Sequence, residues 1–192
     1  HKTIGRQSNG GWETLVTGEP DFEDINEAKA NLDHIYNQSD PRAYFRELRK
    51  LDYAIPEVAK PIFQKLIGAL QKRRDNTIQV LDLGCSYGIN AALLKHDLSM
   101  DELYDHWGQK ALSNVTSDAV IAGDQRYFAE LDAPQDIDVV GFDVAEKATS
   151  YGEEVGLLDE SFTVNLESEV LSAAAKEELT SVDLVTSTGC VG

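Results

Sequence analysis

The stretch from Val80 to Asn90 constrains the fold more than any other part of the sequence. It reads Val-Leu-Asp-Leu-Gly-Cys-Ser-Tyr-Gly-Ile-Asn, so a β-prone run ends in a glycine turn and a helical pattern begins directly after it. Glycine lets the backbone turn sharply and lets a ligand approach the main chain. The N-terminus of the next helix presents unpaired N–H groups and a partial positive charge. The stretch therefore predicts a turn that binds a phosphate or a carboxylate.

Three further β-prone runs follow, and helical patterns separate them. Apolar and β-branched residues predict strands over 77–83, 138–142, 162–165 and 182–187. Periodicities of three to four residues predict intervening helices over 89–95, 146–155 and 168–179. Strands that alternate with helices need crossover connections and form parallel sheets. We therefore predict an α/β fold.

The chain divides into three regions on the same reasoning. Residues 1–20 carry four glycines and no periodic apolar face, so we predict a flexible N-terminal arm. Residues 21–76 show three amphipathic patterns and predict an N-terminal helical extension. Residues 77–192 form the predicted α/β core.

The helical extension has recognisable starts and apolar stripes. The first pattern runs from Asp21 to Tyr36, and Asp40-Pro41 predicts an N-cap and first residue for the second helix. The third pattern begins near Pro56. The residues predicted to be buried in the second helix are Tyr44, Phe45, Leu48 and Leu51. Those on one side of the third are Val58, Ala59, Ile62, Phe63, Leu66, Ile67 and Leu70.

A segment of about forty residues, 97–137, interrupts the α/β alternation. Ser99 and Glu102 form a capping-box pattern that predicts a helix over 101–107. A second helix is predicted from Thr116 or Ser117 to Leu131. We interpret the segment as a helical insertion that covers one end of the sheet, with a lid over a ligand as the alternative.

Composition excludes several classes of function. Acidic residues number 34 and basic residues 17, for a net charge of −17, which disfavours nucleic-acid and anionic-membrane partners. No apolar run reaches the length of a spanning helix. The two cysteines, Cys85 and Cys190, show neither a disulfide framework nor metal-ligand spacing, which favours a cytoplasmic location. The four histidines also lack ligand spacing, so we predict no metal site.

Two known motifs fit the glycine turn incompletely. A dinucleotide fingerprint requires G-x-G-x-x-G, whereas the chain has Gly84-x-Ser86-x-Gly88. The same residues match the G-x-S-x-G nucleophile elbow of α/β-hydrolases, in which a later histidine deprotonates the serine. The last histidine is His106, before any later acid-bearing strand, so hydrolysis is disfavoured.

A third motif accounts for more of the residues. The run from Asp82 to Gly88 resembles the first motif of class I S-adenosylmethionine-dependent methyltransferases, in which an acid at a strand end precedes G-x-G-x-G. The resemblance covers about residues 51–192, and Ser86 replaces the usual middle glycine. It implies that the main chain of Gly84, Cys85, Ser86, Tyr87 and Gly88 surrounds the methionine portion of the cofactor. It also implies that Asp82 binds the cofactor's ammonium group.

The ends of the later strands carry further implied contacts. Asp143 would bind both ribose hydroxyls, and Val144 would pack against the adenine. Asn165 and Leu166 would contact the adenine from the third strand, and Ser187 and Thr188 would border the cofactor from the fourth. Other interpretations stay open: Asp143 as a helix cap, Asn165 as a turn residue and the hydroxyls of 186–188 as partners of the backbone. Tyr36, Tyr44 and Tyr53 belong either to the core or to a cover over the cofactor.

The resemblance implies a doubly wound, Rossmann-like sheet in the order 3-2-1-4, with the ligand across the carboxyl ends of the strands. Members of that family have a fifth parallel strand and a final antiparallel pair, so the resemblance also implies that the core over 77–192 is incomplete at its C-terminus. The implied function is methyl transfer from S-adenosyl-L-methionine to a small molecule or a protein, with S-adenosyl-L-homocysteine as product. The alternative is a non-catalytic, methyltransferase-like module that acts by binding or by protein contact. The sequence predicts no particular catalytic base.

Overall fold

The computed structural model describes residues 34–189, and a parallel sheet forms its centre. The four strands are β1 (Ile78–Leu83), β2 (Ile137–Asp143), β3 (Glu160–Thr163) and β4 (Leu184–Ser187). Their order is β3-β2-β1-β4, and every neighbouring pair is parallel. This confirms the predicted α/β class, the Rossmann-like fold and the order 3-2-1-4. Since β1 lies between β2 and β4, the carboxyl end of β1 is the point where successive connections diverge.

Seven α-helices are described around the sheet. They are α1 (Arg42–Lys50), α2 (Ile55–Gln71), α3 (Ile89–Lys95), α4 (Met100–Trp107), α5 (Ser117–Glu130), α6 (Glu146–Glu154) and α7 (Ala173–Leu179). A short 3₁₀ helix (Lys110–Leu112) lies between α4 and α5. The predicted insertion therefore contains α4, the 3₁₀ turn and α5. The capping box of Ser99 and Glu102 at the start of α4 is confirmed.

Alternation along the strands gives the sheet two buried faces. Val80 and Leu81 are neighbours in β1 and belong to different apolar clusters, because successive side chains of a strand point to opposite faces. Val80 packs with residues of α1 to α6, such as Ile67, Leu93 and Leu103. Leu81 packs in a smaller cluster that includes Ala175 of α7. Helices on both faces bury the sheet as a doubly wound fold requires.

The third β/α unit differs from the sequence prediction. Its strand was predicted over 162–165 but runs from Glu160 to Thr163, in register with Val140–Asp143 of β2. The strand begins at polar residues because backbone pairing with β2 sets its position, whereas the prediction followed the apolar residues. The next helix was predicted from a cap at Ser168. It begins instead at Ala173, where the Ser172 hydroxyl accepts a hydrogen bond from the Ala175 N–H.

The helical extension differs from its prediction in what it buries. Leu51 follows α1 and is 67% exposed, and Val58, Ile62 and Leu66 of α2 are 72%, 60% and 45% exposed. Apolar residues lie on several sides of α2, but the rest of the protein does not bury all of those sides. The side that carries Ile67 faces the sheet. Asp40 also differs from its predicted role, because α1 begins after Pro41. Its Oδ1 nevertheless accepts a hydrogen bond from the Arg42 N–H.

Some predictions lie outside the described residues. These are the arm over 1–20, most of the first helical pattern and Cys190; of that pattern, only the helical turn at residues 34–36 is described. Within residues 34–189, no helix has both the length and the apolar content needed to cross a membrane.

Candidate functional site

The turn after β1 has an unusual backbone. Gly84, Ser86 and Gly88 all have positive φ angles, of 69°, 48° and 83°. Two N–H groups of the turn, those of Gly84 and Cys85, donate to the Phe142 carbonyl of β2 at 2.8 and 3.3 Å. A left-handed conformation is strained for a non-glycine residue such as Ser86. The positions that the motif fills with glycine are therefore the positions where the backbone needs it.

Asp143, at the end of β2, holds this turn in place. Its Oδ2 accepts a hydrogen bond from the Ser86 N–H at 2.8 Å, and its Oδ1 accepts one from the Ala145 N–H at 3.0 Å. The carboxylate thus connects the turn to the residues that precede α6. A carboxylate has about four acceptor positions, so Asp143 can accept further hydrogen bonds from a ligand.

Asp82, at the end of β1, is completely buried. Its Oδ1 accepts hydrogen bonds from Asn90 Nδ2 and Thr186 Oγ1, both at 2.8 Å. Its Oδ2 has no hydrogen-bond partner among the described residues. Burial raises the pKa of Asp82 to about 6, and the nearby Asp143 adds to the rise, while Asn90 and Thr186 oppose it. A buried carboxylate oxygen without a donor is costly, and a cationic ligand would remove that cost.

The hydrogen-bond network continues from Asp82 to β4 and α2. Asn90 Nδ2 also donates to Thr188 Oγ1 at 3.0 Å, and the Tyr53 hydroxyl donates to the Thr188 carbonyl at 2.7 Å. Thr186 thus bonds to a carboxylate, while Thr188 connects β4 to the start of α2. The sequence analysis assigned no function to Asn90. The signal was available, since Asn90 is a polar residue among the apolar residues that begin the helix beside the turn.

Three tyrosines of the helical extension lie near the same turn. The rings of Tyr36 and Tyr44 are 5.1 Å apart in an edge-to-face arrangement. Tyr44 is buried and neighbours Ser86; its pKa is raised by burial and, less strongly, by Tyr36 and Tyr53. Burial also raises the pKa of Tyr53, with a contribution from Asp82. Tyr44 therefore belongs to the core, next to the turn.

A cleft of about 420 Å³ opens at the carboxyl ends of β1, β2 and β3. Val144 and Leu166 are 64% and 51% exposed there, and Asp143, which directly precedes Val144, supplies a carboxylate. An apolar cleft with a few polar groups is the usual form of a small-molecule site. The residues that line this cleft are Leu83, Gly84, Phe142, Asp143, Val144, Val164, Asn165, Leu166 and Glu167.

The remaining predicted site residues have other surroundings. Cys85 and Tyr87 are buried in the larger apolar cluster, so only their main chain can contribute to a site in the cleft. The Tyr87 hydroxyl accepts a hydrogen bond from the Gln38 N–H at 2.9 Å. Asn165 lies beyond the end of β3, where its Oδ1 accepts from the Glu167 N–H in a turn. Ser187 is the last residue of β4 and is partly exposed.

The histidines make their described contacts away from the turn. His96 Nδ1 lies 3.1 Å from the Asp132 carbonyl, and His106 Nε2 lies 2.7 Å from Asp124 Oδ1. Neither contact places a histidine base on Ser86, which a hydrolase elbow requires. Across residues 34–189, no group of three or more His, Cys, Asp or Glu side chains is arranged to hold a metal ion.

A second cavity, of about 530 Å³, lies between the start of α2 and the start of α4. Tyr53 lines it and also reaches Thr188, so this residue borders both the cavity and the network around Asp82.

Comparisons with protein-family models, curated proteins and solved structures found nothing that matches the chain.

Proposed function

We propose that the chain binds S-adenosyl-L-methionine and transfers its methyl group to a small-molecule acceptor. The observation that carries this proposal is Asp82, a fully buried carboxylate with one oxygen unpartnered among the described residues, directly behind a turn with three positive φ angles. The proposal is also supported by the resemblance of residues 82–88 to the first motif of class I methyltransferases.

The residues present fit the chemistry of this cofactor. Its methionine portion carries an ammonium group, which the carboxylate of Asp82 would bind. Asp143 keeps acceptor capacity for the ribose hydroxyls. Val144 and Leu166 offer exposed apolar surface for the adenine ring. The cofactor would supply an electrophilic methyl group on a positively charged sulfur.

The role of the protein in such a reaction is to bind and orient. Methyl transfer requires the acceptor atom in line with the methyl group, and holding two reactants in this geometry supplies much of the rate. Tyr53 borders the second cavity and contacts the end of β4, so the cavity would place a small acceptor beside the cofactor site.

The buried thiol of Cys85 suits a reducing compartment, and we propose a cytoplasmic enzyme.

A second candidate is a non-catalytic module with the same fold. The exposed apolar side of α2 favours it, because exposed apolar patches often mark protein contacts. A module that binds no cofactor has no need for an unpartnered buried carboxylate, so the two candidates differ in what Asp82 does.

Calorimetric titration with S-adenosyl-L-homocysteine distinguishes the two candidates. We expect binding by the unaltered chain and at least roughly tenfold weaker binding by Asp143→Ala, since a carboxylate that accepts hydrogen bonds is lost. Asp138→Asn is the matched control, because Asp138 lies in β2 at its opposite end. Absence of heat with the unaltered chain would contradict the proposal. Transfer of a labelled methyl group to members of a metabolite mixture would then identify the acceptor.

A further inference from the structure

A third cavity, of about 230 Å³, lies between α1, α4 and the 3₁₀ helix, and three arginines line it. Arg42, Arg46 and Arg49 recur at intervals of four and three, so they lie within about 60° of one another on α1. None of the residues that the structure shows lining this cavity is acidic. Because the chain has 34 acidic and only 17 basic residues, the cavity has the opposite charge to the chain as a whole. It is therefore a candidate site for an anion.

The floor of this cavity is aromatic. Phe45 and Trp107 are 2% and 4% exposed, and their ring centroids are 4.3 Å apart. Tyr104 packs on Phe45 in an edge-to-face arrangement, and its hydroxyl donates to the Tyr53 carbonyl at 2.7 Å. Trp107 Nε1 donates to Asp124. Because the polar atoms of the floor already have partners, the charge of the cavity comes from its arginines.

Arg42 has a structural role in this cavity. Its Nε and Nη2 donate to the two carboxylate oxygens of Asp40 at 2.8 and 2.9 Å. Its Nη1 donates to the Leu112 and Val115 carbonyls. Arg42 thus connects α1 to the 3₁₀ helix, and Asp40 balances its charge. The charge that is left for a ligand comes from the other two arginines.

Arg46 and Arg49 are less completely paired. Arg49 Nη2 lies 3.1 Å from Asp105 Oδ1, but both side chains are exposed, and such ion pairs are weak. Arg46 makes no hydrogen bond or ion pair with any other residue in the range 34–189, and the neighbouring Glu47 is paired with Lys50. Two like charges one helical turn apart repel each other. An anion between Arg46 and Arg49 would remove that cost.

We propose that Arg46 and Arg49 bind the phosphate group of a small molecule in this cavity. The N–H groups of a guanidinium form a planar fork that can donate two hydrogen bonds to one phosphate. A monocarboxylate balances only one of the two arginines, whereas a phosphate monoester carries a charge of about −1.5 to −2 at pH 7. The phosphate displaces Asp105 from Arg49, and the aromatic floor contacts the carbon atoms next to the phosphate. The proposal is independent of methyl transfer.

Nuclear magnetic resonance titration of the full chain with sodium phosphate, at constant ionic strength and pH 7.5, tests the site. We expect the backbone amides of residues 108–113 to shift together, with a dissociation constant of about 1–10 mM. Arg46→Gln should raise this constant at least about fivefold, because it keeps a polar side chain but removes the charge. Arg126→Gln is the matched control, since Arg126 is an exposed arginine on α5 and does not line this cavity. Circular dichroism establishes that each variant folds.

A second variant tests the role of Arg49. Asp105→Asn removes the carboxylate that competes for Arg49, so it should lower the dissociation constant for phosphate about two- to threefold. Weaker or unchanged binding by Asp105→Asn would overturn the assignment to Arg49. Absence of amide shifts up to about 50 mM phosphate would overturn the whole proposal, as would shifts that Arg46→Gln leaves unchanged. Equally tight binding of sodium acetate at the same ionic strength would overturn phosphate as the ligand group.

Discussion

Two buried carboxylates in this protein differ in how completely they are hydrogen-bonded. Asp124 of α5 is 3% exposed and has three donors: His106 Nε2 at 2.7 Å, Trp107 Nε1 at 3.0 Å and the Tyr151 hydroxyl at 2.6 Å. Asp82 is fully buried, and both of its described donors bond to the same oxygen. The first arrangement is complete without a ligand, while the second is not. The difference separates a structural carboxylate from one that is suited to a cationic ligand.

The connections made by each carboxylate agree with this interpretation. Asp124 connects α5 to Trp107 of α4 and Tyr151 of α6, so it fixes the insertion to the core. Asp82 connects β1 to α3 and β4 at the ends of the strands, where parallel α/β folds bind ligands. Substitutions at the two positions should therefore have opposite consequences.

The largest effect is expected for Asp124→Ala on stability. The substitution leaves the donors of Trp107 and Tyr151 buried without a partner, at about 1–3 kcal/mol each. We expect the free energy of unfolding to fall by about 3–5 kcal/mol in urea denaturation. Asp105→Ala is the control, because Asp105 is exposed and its ion pair with Arg49 contributes under about 1 kcal/mol. Equal losses in the two variants would show that Asp124 is not a structural centre.

Asp82→Asn should affect binding more than stability. The amide keeps the size of the side chain but removes the negative charge, so S-adenosyl-L-homocysteine should bind about a hundredfold more weakly, a loss of about 2.7 kcal/mol. The unliganded protein should be as stable as the original or up to about 2 kcal/mol more stable at pH 7, since a buried charge is gone. Calorimetry and urea denaturation measure the two quantities. A variant that unfolds readily, with unchanged affinity in its folded fraction, would assign Asp82 to structure alone.

The pKa of Asp82 predicts how binding depends on pH. Burial raises this pKa from 3.8 to about 6, so the folded protein holds a proton there that the unfolded chain releases near pH 4. Protonation of Asp82 therefore favours the folded state at low pH, and this contribution is lost as the pH rises through 6. Ligand binding has the opposite dependence, because the ammonium group needs the ionised form. We expect affinity to be about tenfold lower at pH 5 than at pH 7.5.

Titrations across this pH range provide the check, with Asp143→Ala as the comparison. That variant should bind more weakly at every pH, and its affinity should still rise with pH. The midpoint of that rise should lie at a slightly lower pH, because Asp143 raises the pKa of Asp82. An affinity that does not change between pH 5 and 7.5 would separate Asp82 from the ammonium group.

The sequence predicts those features that depend on local patterns. The alternation of strands and helices, the turn at Gly84 and Gly88 and the capping box at Ser99 follow from periodicity, glycine chemistry and spacing, whereas the strand order was an implication of the resemblance to class I methyltransferases. The position of β3 does not, because Glu160 and Ser161 join the strand through pairing with β2. The exposure of Ile62 was also missed, since an apolar periodicity does not say how many sides of a helix the fold covers.

The candidate site also contains some features that local sequence patterns predict and others that they do not. Asp82 and Asp143 were identified from their places at strand ends, and the structure puts both beside the turn. The bond of Asn90 to Thr188 joins residues 98 positions apart, so no local pattern contains it. Tyr53 reaches Thr188 from the helical extension over 135 positions. Long-range hydrogen bonds of this kind depend on the packing of whole elements, which the sequence patterns did not specify.

The smallest effect is expected at Ser86, where the turn needs both a positive φ angle and an N–H group that donates to Asp143. Its φ of 48° is strained for serine, so Ser86→Gly should relieve the strain while keeping the N–H that donates to Asp143. Glycine also costs more backbone entropy on folding, and we expect a net gain of about 0.5–1 kcal/mol in urea denaturation, with affinity for S-adenosyl-L-homocysteine unchanged. Ser86→Val should instead lose about 1–2 kcal/mol, because a β-branched residue tolerates positive φ poorly. A loss of stability in Ser86→Gly would mean that the hydroxyl, and not the backbone, is what this position contributes.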